Sequence, residues 1–114
     1  MNLKQNRTTI SALSLICFAS LTLCVSPARS QTGGAALYSK KCSVCHGTDG
    51  AGATALGKAD KIRDLGSADV QKQSDADLTT IITAGKDKMP AYGKSLKPDQ
   101  IKDLVTYIRS LAKK

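Results

Sequence analysis

Tryptophan and glutamate are absent from this chain, and its one phenylalanine, Phe18, lies within the first thirty residues. Beyond residue 30 the only aromatic rings are three tyrosines. That is a thin supply for a hydrophobic core, and a domain this small generally needs a staple such as a disulfide or metal. A non-protein group is therefore expected to fill the middle. There is one histidine, His46, which rules out any site needing two imidazoles. Nothing reads as an internal repeat or a second domain, and little reads as strand.

The first thirty residues have a different character. Lys4 and Arg7 give a basic start, residues 10–25 are almost uninterruptedly apolar, and Ala28-Arg29-Ser30 offers small residues at the two positions a signal peptidase reads. This layout predicts a cleavable secretory signal over residues 1–30, with the mature chain starting at Gln31 and cleavage after Ala28 as the neighbouring option. A retained membrane anchor is the rival, but the run of sixteen apolar residues falls short of the roughly 20 that span a bilayer. Cys17 and Cys24 follow the bulky Ile16 and Leu23, unlike a lipoprotein site, and are read as apolar filler.

Setting aside Lys4, Arg7 and Arg29 leaves fourteen of the seventeen basic residues against nine acids, all aspartate, for a net charge of +5. This charge is modest and interrupted by aspartates, so nucleic acid is not an expected partner. Residues 31–114 are expected to form one small all-α domain, starting with a frayed 31–33. Residues 34–45 have helical spacing, whereas the glycine-rich 47–57 should be loop. Residues 58–73 are ambiguous, with a helical turn around 67–70. Ser74-Asp75-Ala76-Asp77 is an N-cap with an acid at the third helical position, Leu78, Ile81 and Ile82 follow, and Gly85 ends that helix. Pro98 opens the last helix, whose apolar stripe is Ile101, Leu104, Val105, Ile108 and Leu111.

The chemistry is concentrated in KCSVCHG, residues 41–47. Cys42, Cys45 and His46 admit three readings. A structural zinc wants four ligands from two separated pairs, and no second pair exists. A redox dithiol is expected beside strands of a βαβ unit, which this sequence lacks. Covalent haem attachment fits: cysteines three apart on a helical turn share one side, about 5 Å apart, which suits thioether bonds to two vinyl groups, and the next residue turns its imidazole toward the iron. An export signal agrees with that, because such haems are attached outside the cytoplasm.

With one histidine, bis-histidine ligation is excluded by counting. Once the signal is removed Met89, in KMPAYG, is the only methionine. A lone methionine ordinarily packs a core. Beside a haem motif, in a loop stiffened by Pro90, it is expected as the second axial ligand, with an open iron as the alternative. An apolar wall of Leu56, Leu65, Leu78, Ile82, Tyr92 and Leu96 is expected around the group, and Arg63, Lys61 and Tyr92 are candidates to hold its propionates.

These residues resemble the class I c-type cytochromes, small single-haem electron carriers. The resemblance runs over residues 34–111 and rests on CSVCH, on KMPAYG, on Gly34 and Tyr38 before the haem motif, and on Leu104 and Tyr107 in the last helix. It implies a small cytochrome c fold of three main helices with loops wrapped around one covalently bound haem c, its iron held by His46 and Met89. It also implies that the first and last helices cross closely at Gly34. Many relatives carry a proline after the haem motif whose carbonyl accepts from the ligand histidine. This chain has none between His46 and Pro90, so a carbonyl within residues 53–56 is expected in that role.

The resemblance implies a periplasmic, monomeric electron carrier rather than an enzyme. Its partners would be acidic redox proteins, either a membrane oxidase or reductase complex or a periplasmic dehydrogenase. Lys86, Lys88, Lys94 and Lys97 around the methionine loop, with Lys40 and Lys41 before the haem motif, are the candidates for docking them. Singly, each lysine is an ordinary solvated side chain. Two alternatives stand beside this reading: a haem sensor or peroxidase-like protein with Met89 detached, and a tethered electron-transfer module with the signal uncleaved.

Overall fold

In a computed structural model the chain is described over residues 31–113; the expected signal at 1–30 lies outside the described residues. Six helices follow one another: α1 (Gln31–Lys41), α2 (Ser43–His46), α3 (Ala55–Ala59), α4 (Ala68–Gln71), α5 (Asp75–Ala84) and α6 (Pro98–Ser110). Three are long and three are single turns, and the described residues contain one isolated bridge, Lys86 to Met89, and no strand. None of these helices is long and apolar enough to cross a membrane.

The long helices arise where local signals agree. Ser74 accepts from the Asp77 backbone N–H, and the Asp77 carboxylate accepts from the Ser74 N–H, a closed capping box that starts α5. Gly85 stops it at φ 76°, in the left-handed region. Helix α6 opens on Pro98 at its first turn, and the Lys97 N–H donates to Gln100 Oε1 (2.9 Å). Ile101, Leu104, Val105 and Ile108 recur at helical spacing and are all buried.

Three boundaries differ from the sequence reading. The expected frayed start at 31–33 is the first turn of α1. The expected helix over 34–45 runs on to His46 in two pieces, α1 and α2, with Cys42 at φ −115° between them. The expected loop over 47–57 ends at Thr54, because its hydroxyl caps the Gly57 N–H (2.8 Å) and starts α3.

The core is built on α6. Helices α1 and α5 both pack against it. Tyr38 and Leu104 are the most deeply enclosed side chains, at 1% and 2% exposure. The Tyr38 ring lies tilted on Tyr107, centroids 4.8 Å apart, and its hydroxyl donates to the Gly47 carbonyl (2.8 Å), so its polar end is satisfied as burial requires. Gly34 makes the crossing possible. A Cβ there would collide with the Asp103 carbonyl, sitting 2.9 Å from its carbon and 3.3 Å from Tyr107 Cβ.

Arg109 joins the second half of the fold. Its guanidinium donates to the carbonyls of Gln71 (2.8 Å) and Gln73 (2.5 Å) and, through two nitrogens, to Asp75 Oδ1 (2.9 and 2.8 Å). Gln71 Nε2 donates in turn to the carbonyls of Leu65 and Ile108. Together they pin the α4–α5 junction to α6.

Candidate haem site

The haem motif begins at Cys42, between α1 and α2, and takes in all of α2. The Cys42 carbonyl accepts from the N–H groups of Cys45 (3.2 Å) and His46 (2.9 Å), closing the turn that carries both thiols and the imidazole. Gly47 ends the turn at φ 79°. Behind it, the loop folds back onto the motif: Gly52 N–H donates to the His46 carbonyl (2.7 Å), and Thr54 Oγ1 to the Cys45 carbonyl (2.8 Å). Gly57 lies so close that a Cβ would stand 2.6 Å from the Cys45 carbonyl oxygen.

The methionine loop comes from the other side. After Gly85, residues Lys86 and Met89 exchange backbone hydrogen bonds (3.1 and 2.8 Å), with Asp87 at φ 52° making the turn. A Cβ on Gly85 would lie 2.7 Å from the Met89 carbonyl oxygen, so only glycine lets the loop fold onto the end of α5.

Cys42, Cys45, His46 and Met89 all line one cavity of about 370 Å³. Its wall includes Leu65, Leu78 and Tyr92, as expected, and Ile62, Val70, Ile81 and Val44, which were not anticipated. A smaller apolar recess continues inward past Cys42, His46 and Met89 to Tyr38, Ile82, Leu104 and Ile108. Two expected wall residues are elsewhere. Leu56, on the short helix α3, is 49% exposed, and Leu96 is buried in the core without lining either space. Lys61 and Arg63 line the cavity, in a segment where Lys61 takes φ 52°. The Tyr92 hydroxyl donates to the Lys41 carbonyl (3.1 Å).

Both cysteines are free and half-buried. Burial, with a smaller contribution from Cys45, pushes the Cys42 thiol up to about 11. An attacking redox thiol is typically held low instead. Burial also pushes His46 below its ordinary value, favouring the neutral imidazole that ligates metal. His46 Nδ1 is buried without a hydrogen-bond partner. No carbonyl within 53–56 takes it, contrary to expectation. The loop is tied to the motif by Thr54 Oγ1, which donates to the Cys45 carbonyl. A buried imidazole with unused bonding capacity, two free thiols and a thioether facing one apolar cavity fit a covalently attached haem.

Of the lysines singled out, Lys41, Lys86 and Lys88 are exposed and line the cavity. Lys40, Lys94 and Lys97 are exposed outside it. Val44, at 64% exposure, and the exposed Pro90 lie on the same rim.

Comparison with known proteins agrees with this geometry. The family described as "Cytochrome C oxidase, cbb3-type, subunit III" matches residues 29–108. Cytochrome c6 of Gloeothece citriformis is 36% identical over 87 residues, covering 71% of each chain. Cytochrome c6 of a Nostoc species is 37% identical over 84 residues, covering 71% of this chain and 70% of its own. Among solved structures, the KustC0563 c-type cytochrome superposes with a TM-score of 0.66 at 34% identity, covering 70% of this chain and 98% of that one. Cytochrome c6C from Synechococcus superposes with a TM-score of 0.56 at 23% identity, a likeness of fold alone.

Proposed function

Because this chain belongs to the small c-type cytochromes, electron-transfer proteins that carry a covalently bound haem c, we propose that it is a periplasmic one-electron carrier with His46 and Met89 as axial ligands. Cys42 and Cys45 would hold the haem through thioether bonds. The observation that carries the reading is the convergence of His46, from the haem motif, and Met89, from the loop after α5, on one cavity. The bound haem supplies an iron that takes up and releases one electron.

The residues around it set how readily that happens. A thioether is a soft, weak donor and favours the reduced metal. The apolar wall of Leu65, Leu78, Val70 and Ile81 disfavours the more positive oxidised state. His46 and Met89 would together hold the iron and leave small ligands no open position, which suits a carrier rather than a catalyst. An optical spectrum of the matured protein tests this. A weak red sulfur-to-ferric-iron band, unaltered when carbon monoxide is added after reduction, is expected. Ready binding of carbon monoxide would instead favour the sensor or peroxidase-like alternative.

Carriers exchange electrons with redox partner proteins. Here the exposed Val44 and Pro90 within a rim of Lys41, Lys86 and Lys88 suit an acidic one, with Lys94 and Lys97 nearby. Electrostatic steering of this kind speeds encounter by about tenfold or more at low salt and is lost on screening. Stopped-flow reduction by an acidic donor should therefore slow as ionic strength rises, and a salt-independent rate would remove the docking role.

A second reading follows from the description of the matched family as an oxidase subunit. In it residues 1–30 stay attached as a tether to a membrane complex. Mass spectrometry of the product from a secreting host separates the two: a mature chain starting near Gln31 supports the free carrier, and a full-length, membrane-bound chain supports the tether.

A further inference from the structure

Tyr92 stands three residues after Met89 and is held from three directions. Its N–H donates to the Ile82 carbonyl (3.0 Å), and its own carbonyl accepts from Leu96 N–H (2.9 Å). Its hydroxyl donates across fifty-one residues to the Lys41 carbonyl (3.1 Å). Lys41 is the last residue of α1, where carbonyls lack intrahelical partners. The neighbouring ends are already taken locally, Tyr38 by Cys42 N–H (2.8 Å) and Ser39 by the Ser43 hydroxyl (2.6 Å). The Lys41 carbonyl is satisfied from the methionine loop instead.

We propose that Tyr92 is a positioning residue whose hydroxyl straps the methionine loop to the end of α1, one residue before the first thioether cysteine, and so holds Met89 at the iron. The proposal rests on Met89 ligation as read above. The backbone bonds of Tyr92 anchor the loop only to α5 and to the turn that follows. The hydroxyl bond is the one that reaches α1, at the residue before Cys42. Without it, the loop between Gly85 and Tyr92 is tied to α5 at its two ends and no longer to α1.

The test compares haem-loaded wild type with Tyr92→Phe, which keeps the ring in the cavity wall and removes only the hydroxyl. Amide hydrogen exchange reads the strap itself. Met89 and Tyr92 N–H should exchange roughly three- to tenfold faster in the variant, the worth of one hydrogen bond, while Leu104 and Ile108 in α6 stay unchanged. Carbon monoxide uptake by the reduced protein reads the action through Met89 and should rise by a similar factor. Unchanged loop exchange, or an equal rise in α6, overturns the proposal. Faster loop exchange with carbon monoxide excluded as in wild type overturns the positioning of Met89. If wild type already binds carbon monoxide freely while the loop loosens in the variant, the strap stands and Met89 ligation fails.

Discussion

Replacing Met89 with alanine is expected to lower the midpoint potential by a few hundred millivolts, within the span of roughly 0.8 V over which axial ligands set haem potentials. It should also open the reduced iron to carbon monoxide. Two effects act together: loss of a soft donor that favours the reduced metal, and entry of water into a wall otherwise built from Leu65, Leu78 and Ile81. Met89→His separates them. A nitrogen ligand should lower the potential while keeping carbon monoxide out. Redox titration and a carbon monoxide difference spectrum of the three proteins suffice, and a Met89→Ala variant that matches wild type in both would exclude Met89 as a ligand.

Gly34→Val should destabilise the folded protein by about 3 kcal/mol, the upper part of the usual range for overpacking. For a domain of this size that corresponds to a fall in Tm of roughly 12–24 °C. The cause is backbone against backbone: the new Cβ would meet the Asp103 carbonyl, which α6 cannot move without disturbing Leu104 beside it. Gly33→Ala is the control. There a Cβ meets only Asp103 Oδ2 at 3.6 Å, an ordinary contact, and alanine raises helix propensity by up to about 1 kcal/mol. Thermal melts of the haem-loaded proteins should order them Gly33→Ala, wild type, Gly34→Val. Equal melting of wild type and Gly34→Val would mean that α1 and α6 do not cross as closely as described.

The haem site was legible to different depths in its different parts. The attachment turn was readable because its chemistry is local: Cys42, Cys45 and His46 belong to one turn, so their spacing alone implies their relation. Met89 was singled out by elimination, helped by Pro90, and it lines the same cavity as His46. The wall was read less well, since an apolar residue gives no sign of which void it faces. Leu56 and Leu96 were expected there, and one proved exposed and the other buried elsewhere in the core. Val70 and Ile62 were passed over in a segment whose hydrophobic period was unclear, though Val70 follows the Ser67 that starts α4.

By itself the sequence determined the elements with strong local rules: α5 between its Ser74–Asp77 box and Gly85, α6 from Pro98 with its buried stripe, and the haem-binding turn. Each depends on contacts within a few residues, where backbone geometry and capping decide the outcome. Only the tertiary structure decided how these parts meet. Arg109 reaching the α4–α5 junction, Thr54 tied to the Cys45 carbonyl and the Tyr92 hydroxyl on Lys41 join residues that no local pattern relates. Such ties form because buried or helix-terminal polar groups must find partners wherever packing brings them, and packing is a property of the whole chain.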